Sequence, residues 1–324
     1  MSYNVELLVL VDEHIHTRHG ARMIDYIQTM VNIVDEVYRH KSLAANINMI
    51  LTNIKIQPYN QIIVHNDPSP SLYNLLGRVA DLHNTLKFDL AVYLTRQYFG
   101  VAAGYRKIKN RFENPDFFTN SSFFSFFHAP MNGMCTRDRS GVLVRDTGFN
   151  SAFVLAHEIG HSLGLTHDKA QNVCKDPPDK GSIMSTVVKS KLGNYRWSRC
   201  SKSELYNNIH RFACLQDFPT QTPEMKQFEN NSEMSLVLDG MRYDGIRWDR
   251  NDQCVAYHGQ GWKQCSRKWL RTIDTECRQL WCEHDRGVRN TYCMRASEKW
   301  SKSSFLFEIL IFRSFFLLAT TGLL

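Results

Sequence analysis

The chain has 324 residues, more than one average domain needs, so a sizeable domain with a smaller companion is the expected division. Hydrophobic residues at 43% and aromatics at 12% are ample for a packed core, and charged residues at only 22% exclude a mostly disordered chain. The formal net charge of +7 suits acidic surfaces such as sulfated glycans, yet it is too dispersed to argue for nucleic acid and fits an ordinary basic surface with no dedicated partner better.

Residues 3 to 11 are almost continuously apolar, as in a short strand buried on both faces of a parallel sheet. Met23, Ile27, Met30, Val34 and Val37 recur at helical spacing within residues 21 to 38 and predict an amphipathic helix. "INMILTNIKI" (47 to 56) reads as a strand, "SLYNLLGRVADLHNTL" (71 to 86) as a helix and "FDLAVYLT" (88 to 95) as another strand. This alternation predicts an α/β fold with a mostly parallel sheet. The histidines of "HIHTRH" (14 to 19) fit neither one helical face nor a paired ligand turn, so a metal site there is not expected. Residues 106 to 128 carry seven phenylalanines with no period and read as an insertion.

The cysteines fall unevenly. Cys135, Cys174, Cys200 and Cys214 are spread through the first part of the chain, whereas Cys254, Cys265, Cys277, Cys282 and Cys293 crowd together. Small modules without a full core rely on disulfides, so this pattern predicts an extracellular cysteine-rich module behind an enzyme-sized domain. Asn120-Ser121-Ser122 and Asn230-Asn231-Ser232 match glycosylation acceptors, a signal that also arises by chance. Behind Met1 and Ser2 the chain runs straight into "YNVELLVLVD", with no basic start and no cleavage site, so a secretory leader is expected to be missing from it. The apolar stretch "SSFLFEILIFRSFFLLATTGLL" (303 to 324) is long enough to span a bilayer. Glu308 and Arg313 would each cost about 2.5 to 3.5 kcal/mol at its centre, which argues against an anchor.

The chemistry concentrates in "FVLAHEIGHSLGLTHD" (153 to 168). Asn150 or Ser151 can cap a helix starting there, with Ala152, Ala156, Ile159 and Leu163 on one apolar stripe. His157 and His161, four residues apart, stack on another face and can offer two imidazole nitrogens to one ion. Gly164 can take a positive φ, end the helix and bring His167 round as a third ligand. Zinc suits such a set, keeping a fourth position for water, and Glu158 beside the first ligand is placed to take the water's proton and pass it to a leaving amine. Downstream, "GSIMS" carries Met184, suited to a tight turn beneath the three imidazoles.

H-E-x-x-H-x-x-G-x-x-H followed by this methionine marks the metzincin clan, and Asp168 after the third histidine resembles the adamalysin branch with the ADAM and ADAMTS proteases. "YNVELLVLVD", "LTRQYFG", "NGMC", "GSIM", "WSRCSKSEL" and "CLQD" run in the order of an ADAMTS catalytic domain, and "NDQC" and "CRQLWC" resemble its disintegrin-like module. "YNVE", "LTRQ", "GSIM" and "WSRCS" are most similar to the procollagen amino-propeptidase branch. The resemblance implies a catalytic domain over 1 to 218, a linker over 219 to 240, an incomplete disintegrin-like module over 241 to 296 and an apolar tail over 297 to 324.

It further implies zinc on His157, His161 and His167, Glu158 as the base, and structural calcium on Glu6, Asp89, Asp217 and the Cys214 carbonyl. Independently of family, Glu6 inside an apolar strand would be a costly buried charge without a cation. Cys135 with Cys214 and Cys174 with Cys200 are the implied disulfides. The function implied is a secreted zinc endopeptidase acting on extracellular matrix proteins, procollagen first. The competing readings are a matrix- or receptor-binding form that does not cleave, and an ADAM-type membrane sheddase. Departures are the block separating "AAGY" at Tyr105 from "AP" at Ala129, Gly141 where several members carry a cysteine, and five cysteines in a module that has eight in the family. Thrombospondin-type repeats and an inhibitory propeptide are not among these residues.

Overall fold

The computed structural model describes residues 2–58, 61–65, 68–97, 129–168, 174, 181–185, 196–217, 248–266, 280–284 and 293–295. The insertion expected at 106–128, the linker at 219–240, the tail at 297–324 and both glycosylation triplets lie outside these residues.

Strand β1 (Tyr3–Asp12) runs through the middle of a four-stranded sheet. It pairs in parallel with β2 (Ile47–Gln57) on one side and β3 (Leu90–Thr95) on the other, and β3 pairs in parallel with β4 (Gly141–Arg145). The near-continuous apolar run of β1 follows from this position. Val5, Leu7, Val9 and Val11 enter the larger core, and Leu8 and Leu10 enter a smaller one on the opposite face. Helix α2 (Met23–Tyr38) fills the larger core through Ile27, Met30, Val34 and Val37, as their spacing predicts. Helix α3 (Pro68–Leu82) covers the other face with Leu75, Val79 and Leu82. It starts earlier than expected because proline suits a first helical turn, and it stops at Leu82, whose carbonyl accepts from the Thr85 and Leu86 amides.

"HIHTRH" forms most of a short helix, α1 (Glu13–His19), capped by the Asp12 carboxylate, which accepts from the Ile15 amide at 2.9 Å. His14 and His16 are exposed, and His19 stacks on Tyr26 with ring centroids 3.8 Å apart. The ends of β1, β3 and β4 are pinned by buried polar groups. Asp12 accepts from the Thr95 hydroxyl at 2.6 Å, and Asp146 accepts from Tyr26 at 2.5 Å and from the Arg96 guanidinium at 2.7 Å. Charges this deep persist because their partners replace the lost water.

After β4 come the almost wholly buried helix α4 (Ser151–Ser162) and helix α5 (Arg199–Asn208), capped by the Ser198 hydroxyl. The second unit is helix α6 (Arg250–His258) with an antiparallel sheet of β5 (Trp262–Gln264), β6 (Trp281–His284) and β7 (Met294–Arg295). Cys254–Cys282 and Cys265–Cys293 bridge it, as a small module with few core residues requires. Its helix also joins the main core. Trp248 packs edge-on against Phe149 and Tyr26, the Arg22 guanidinium lies 4.0 Å above the Trp248 ring, and Arg22 pairs with Asp252 at 2.6 Å.

Candidate metal centre

Helix α4 rises directly behind β4. Its first residue, Ser151, accepts the Thr147 amide at 2.8 Å and donates to the Arg145 carbonyl at 3.1 Å. Asn150 occupies the cap position, but its backbone is already helical and its side chain caps nothing, so side-chain capping by this residue does not occur. Its amide instead donates to the Tyr257 hydroxyl at 3.3 Å, a contact from the second module. The expected stripe of Ala152, Ala156, Ile159 and Leu163 is wholly buried. So is nearly every other residue of the helix, because β4 and α2 cover it and the remaining face carries the site. The Tyr38 hydroxyl donates to the Ala156 carbonyl at 2.9 Å and ties the helix to α2.

Gly164 closes the helix at φ 83°. The Leu165 amide donates to the Gly160 carbonyl and the Gly164 amide to the His161 carbonyl, both at 2.9 Å, the paired bonds of a Schellman turn. A side chain at Gly164 would also collide with Asn132 and Asn208. The turn sends the chain back towards the helix, and the Nε2 atoms of His157, His161 and His167 come within 3.0, 3.0 and 3.1 Å of one another.

Two backbone carbonyls determine what those nitrogens can do. His157 Nδ1 lies 2.7 Å from the Ile183 carbonyl, and His161 Nδ1 lies 2.8 Å from that of Leu165. A carbonyl only accepts, so Nδ1 of each ring carries a proton, and in the neutral ring Nε2 is the nitrogen left with a lone pair. Burial, reinforced by the neighbouring His157, pulls the His161 pKa down to about 3 and that of His167 to about 4, so both rings are neutral at physiological pH. Three ring nitrogens 3.0 to 3.1 Å apart and turned to one point crowd each other unless a cation lies among them. Among the described residues this cluster can hold a metal ion.

Met184 is fully buried, its sulfur against Gly160 so closely that a side chain there would meet it at 2.6 Å. Its carbonyl accepts from the Asp168 amide at 2.9 Å. The Asp168 carboxylate accepts from the hydroxyls of Ser182 and, at 2.7 Å, Ser198, so the chain on the far side of His167 is held to the methionine turn and to α5. Glu158 is 4% exposed, next to His157 on the same helix, and its charge opposes the downward pull on both His161 and His167.

Of the four groups expected around a second cation, Asp89 lies close to Glu6 and Asp217. Glu6 and Asp89 are buried, and the Glu6 amide donates to the Asp89 carboxylate at 2.8 Å. Burial raises the Asp89 pKa to about 7, with the charges of Glu6 and Asp217 adding to the rise against the Glu6 amide. The Asp217 carbonyl accepts from Asn4 at 3.1 Å, which holds this end of the domain beside the start of β1. Asp89 clusters with Cys135 and Cys214, which form one disulfide, and Cys174 bridges to Cys200 at the start of α5. Four bridges use eight of the nine cysteines, and Cys277 lies outside the described residues.

Sequence reasoning overlooked Glu204, Asn208 and Asn132. Asn208 and Glu204 on α5 contact Gly164 and Thr166, and Asn132 crowds Gly164 together with Asn208. The only available signal was the four-residue spacing of Glu204 and Asn208, which puts them on one helical face.

Comparison with known proteins agrees with this geometry. The profile described as Metallo-peptidase family M12 matches residues 1–202, and that described as ADAMTS cysteine-rich domain 2 matches residues 244–304. The chain is 35% identical over 293 residues to "A disintegrin and metalloproteinase with thrombospondin motifs 3" of Homo sapiens, covering 87% of this chain. It is likewise 35% identical to number 2 of that series from Bos taurus, and 28% identical over 289 residues to number 1 from Bombyx mori. The chain spans about a fifth of the human and bovine relatives, 21% of each. It belongs to metallo-peptidase family M12, with an ADAMTS cysteine-rich segment behind the peptidase domain.

Proposed function

We propose that this chain is the catalytic part of a secreted zinc endopeptidase that cleaves extracellular matrix proteins, with procollagen the first substrate to test. The observation that carries this reading is the convergence of three Nε2 atoms at 3.0 to 3.1 Å beside the buried carboxylate of Glu158. Nitrogens about 2.0 to 2.1 Å from a tetrahedral zinc are roughly 3.3 Å apart, so the donor set fits zinc closely. His157, His161 and His167 are its ligands in this reading, and the carbonyls of Ile183 and Leu165 hold two of the rings in the required tautomer. Zinc bound there would supply a Lewis acid for a scissile amide and for water.

Glu158 acts as the general base. Its carboxylate takes a proton from the attacking water and delivers it to the departing nitrogen, and its burial in α4 keeps it within reach of both. Calcium is proposed as a second, structural cation on the oxygens of Glu6, Asp89, Asp217 and the Cys214 carbonyl, where its charge would neutralise the buried acids. The domain limits proposed are 1–218 for the peptidase and 241–296 for the cysteine-rich module. The disulfides of both parts suit an oxidising extracellular setting. Among the described residues no helix is long and apolar enough to cross a membrane.

The test is turnover of a generic quenched-fluorescence peptide by the oxidised, zinc-loaded chain and by Glu158→Gln. The variant is expected to keep stoichiometric zinc and to lose activity by about 10²- to 10⁴-fold, the usual contribution of a general base. Equal turnover by both forms would reject the role of Glu158. Zinc binding without any turnover by the parent chain would favour a matrix-binding protein that does not cleave.

A further inference from the structure

His157 and His161 sit on one rigid helix, but His167 lies on an irregular stretch whose position has to be set by something else. That stretch lies along α5 and is gripped at three points in register. Asn208 donates to the Gly164 carbonyl at 3.1 Å. Glu204 accepts both the Thr166 amide at 2.8 Å and the Thr166 hydroxyl at 2.6 Å. Ser198, at the helix start, donates to Asp168 at 2.7 Å. As the loop runs forward from 164 to 168, its partners run backward along α5 from 208 to 198, so the two segments are antiparallel. The helix is itself anchored by Cys174–Cys200 and by its Ser198 cap.

The middle contact is the strongest of the three. Thr166 immediately precedes His167, and a carboxylate that accepts two hydrogen bonds from one residue fixes both its position and its rotation. A side chain with a single acceptor oxygen would keep only one of the two bonds, and no acceptor would leave a partly buried amide to swing with the loop. Asp168 on the far side already restrains His167 through Ser182 and Ser198, so Glu204 completes the grip on the near side.

We propose that Glu204 is the positioning residue for His167: through Thr166 it holds the third imidazole in register with the two helical ones. The inference rests on the reading of this cluster as a zinc site. Residues that orient a metal ligand from outside typically alter metal affinity by about 10- to 100-fold when removed.

The experiment compares zinc affinity, by chelator competition, for the whole oxidised chain and for Glu204→Ala, Glu204→Gln and Thr166→Val, with the visible spectra of their cobalt forms. Glu204→Ala is expected to weaken zinc by about 10- to 100-fold and to shift the cobalt bands. Glu204→Gln and Thr166→Val keep one of the two bonds and should fall between Ala and the parent. Affinities are read well below each variant's melting temperature, so that a loss of fold is not mistaken for a loss of register. Affinity within twofold of the parent for Glu204→Ala, with an unchanged cobalt spectrum, overturns the proposal even if that variant melts earlier. No zinc binding by the parent chain would instead overturn the zinc reading itself, and this inference with it.

Discussion

His19 shows how one buried ring ties stability to pH. It stacks on Tyr26 between the first two helices, and burial lowers its pKa to about 4, with Arg96, Arg18 and Arg22 pushing the same way against Asp146. Because its folded pKa is depressed below the usual value near 6.5, the unfolded chain binds this proton more readily than the native one. Stability from this site is therefore complete above about pH 6.5 and falls as the pH drops towards 4, by up to about 3 kcal/mol. His19→Phe keeps the stacking surface and removes the proton. Denaturation midpoints of the two forms should converge at neutral pH and separate in favour of the variant at pH 4 to 5. Parallel profiles across that range would rule out this linkage.

At the level of elements, the turn after α4 has one permissible residue. Gly164 combines a positive φ of 83° with crowding from Asn132 and Asn208. Gly164→Ala would cost about 1 to 2 kcal/mol for the left-handed backbone alone, and displacing the two asparagines adds to it. The turn would open and carry His167 away. A destabilisation of about 2 kcal/mol or more is expected in urea, together with weakened zinc binding by chelator competition; an unchanged midpoint would show that the turn adapts. The start of the same helix teaches a different lesson. Asn150 is a favourable cap by residue type, yet the first helical amides are already met by the backbone: those of Ser151, Ala152 and Phe153 donate to the carbonyls of Gly148, Phe149 and Asn150, and the Asn150 amide reaches Tyr257 of the second module. Local propensity yields where other partners satisfy the same backbone groups.

Across the whole molecule, the two ends of the peptidase domain are brought together at the acidic cluster. β1 contributes Glu6, the approach to β3 contributes Asp89, and the segment behind α5 contributes Asp217. If calcium binds there, it joins the first strand to the end of the domain and stabilises the native state by mass action, about 2.7 kcal/mol at a hundredfold excess over Kd. Melting with calcium and with a chelator should differ by several degrees for the parent chain. Asp89→Asn should abolish that difference. A parent chain that melts identically in both conditions would remove calcium from the description.

Much of the peptidase domain was legible along the chain because its signals are local. The apolar run of β1 follows from burial on both faces, the spacing of Met23 to Val37 from helical periodicity, and the meeting of His157, His161 and His167 from a four-residue repeat and a glycine that can reverse the backbone. What the sequence by itself determined was therefore the element order and the kind of chemistry. Only the tertiary structure decided which carbonyls accept from the rings, that Glu204 and Asn208 grip the loop bearing His167, and that Trp248 and Tyr257 of the second module brace the start of α4. Those contacts join residues far apart in the chain. Periodicity reports the face a residue occupies but not the partner that lies against it.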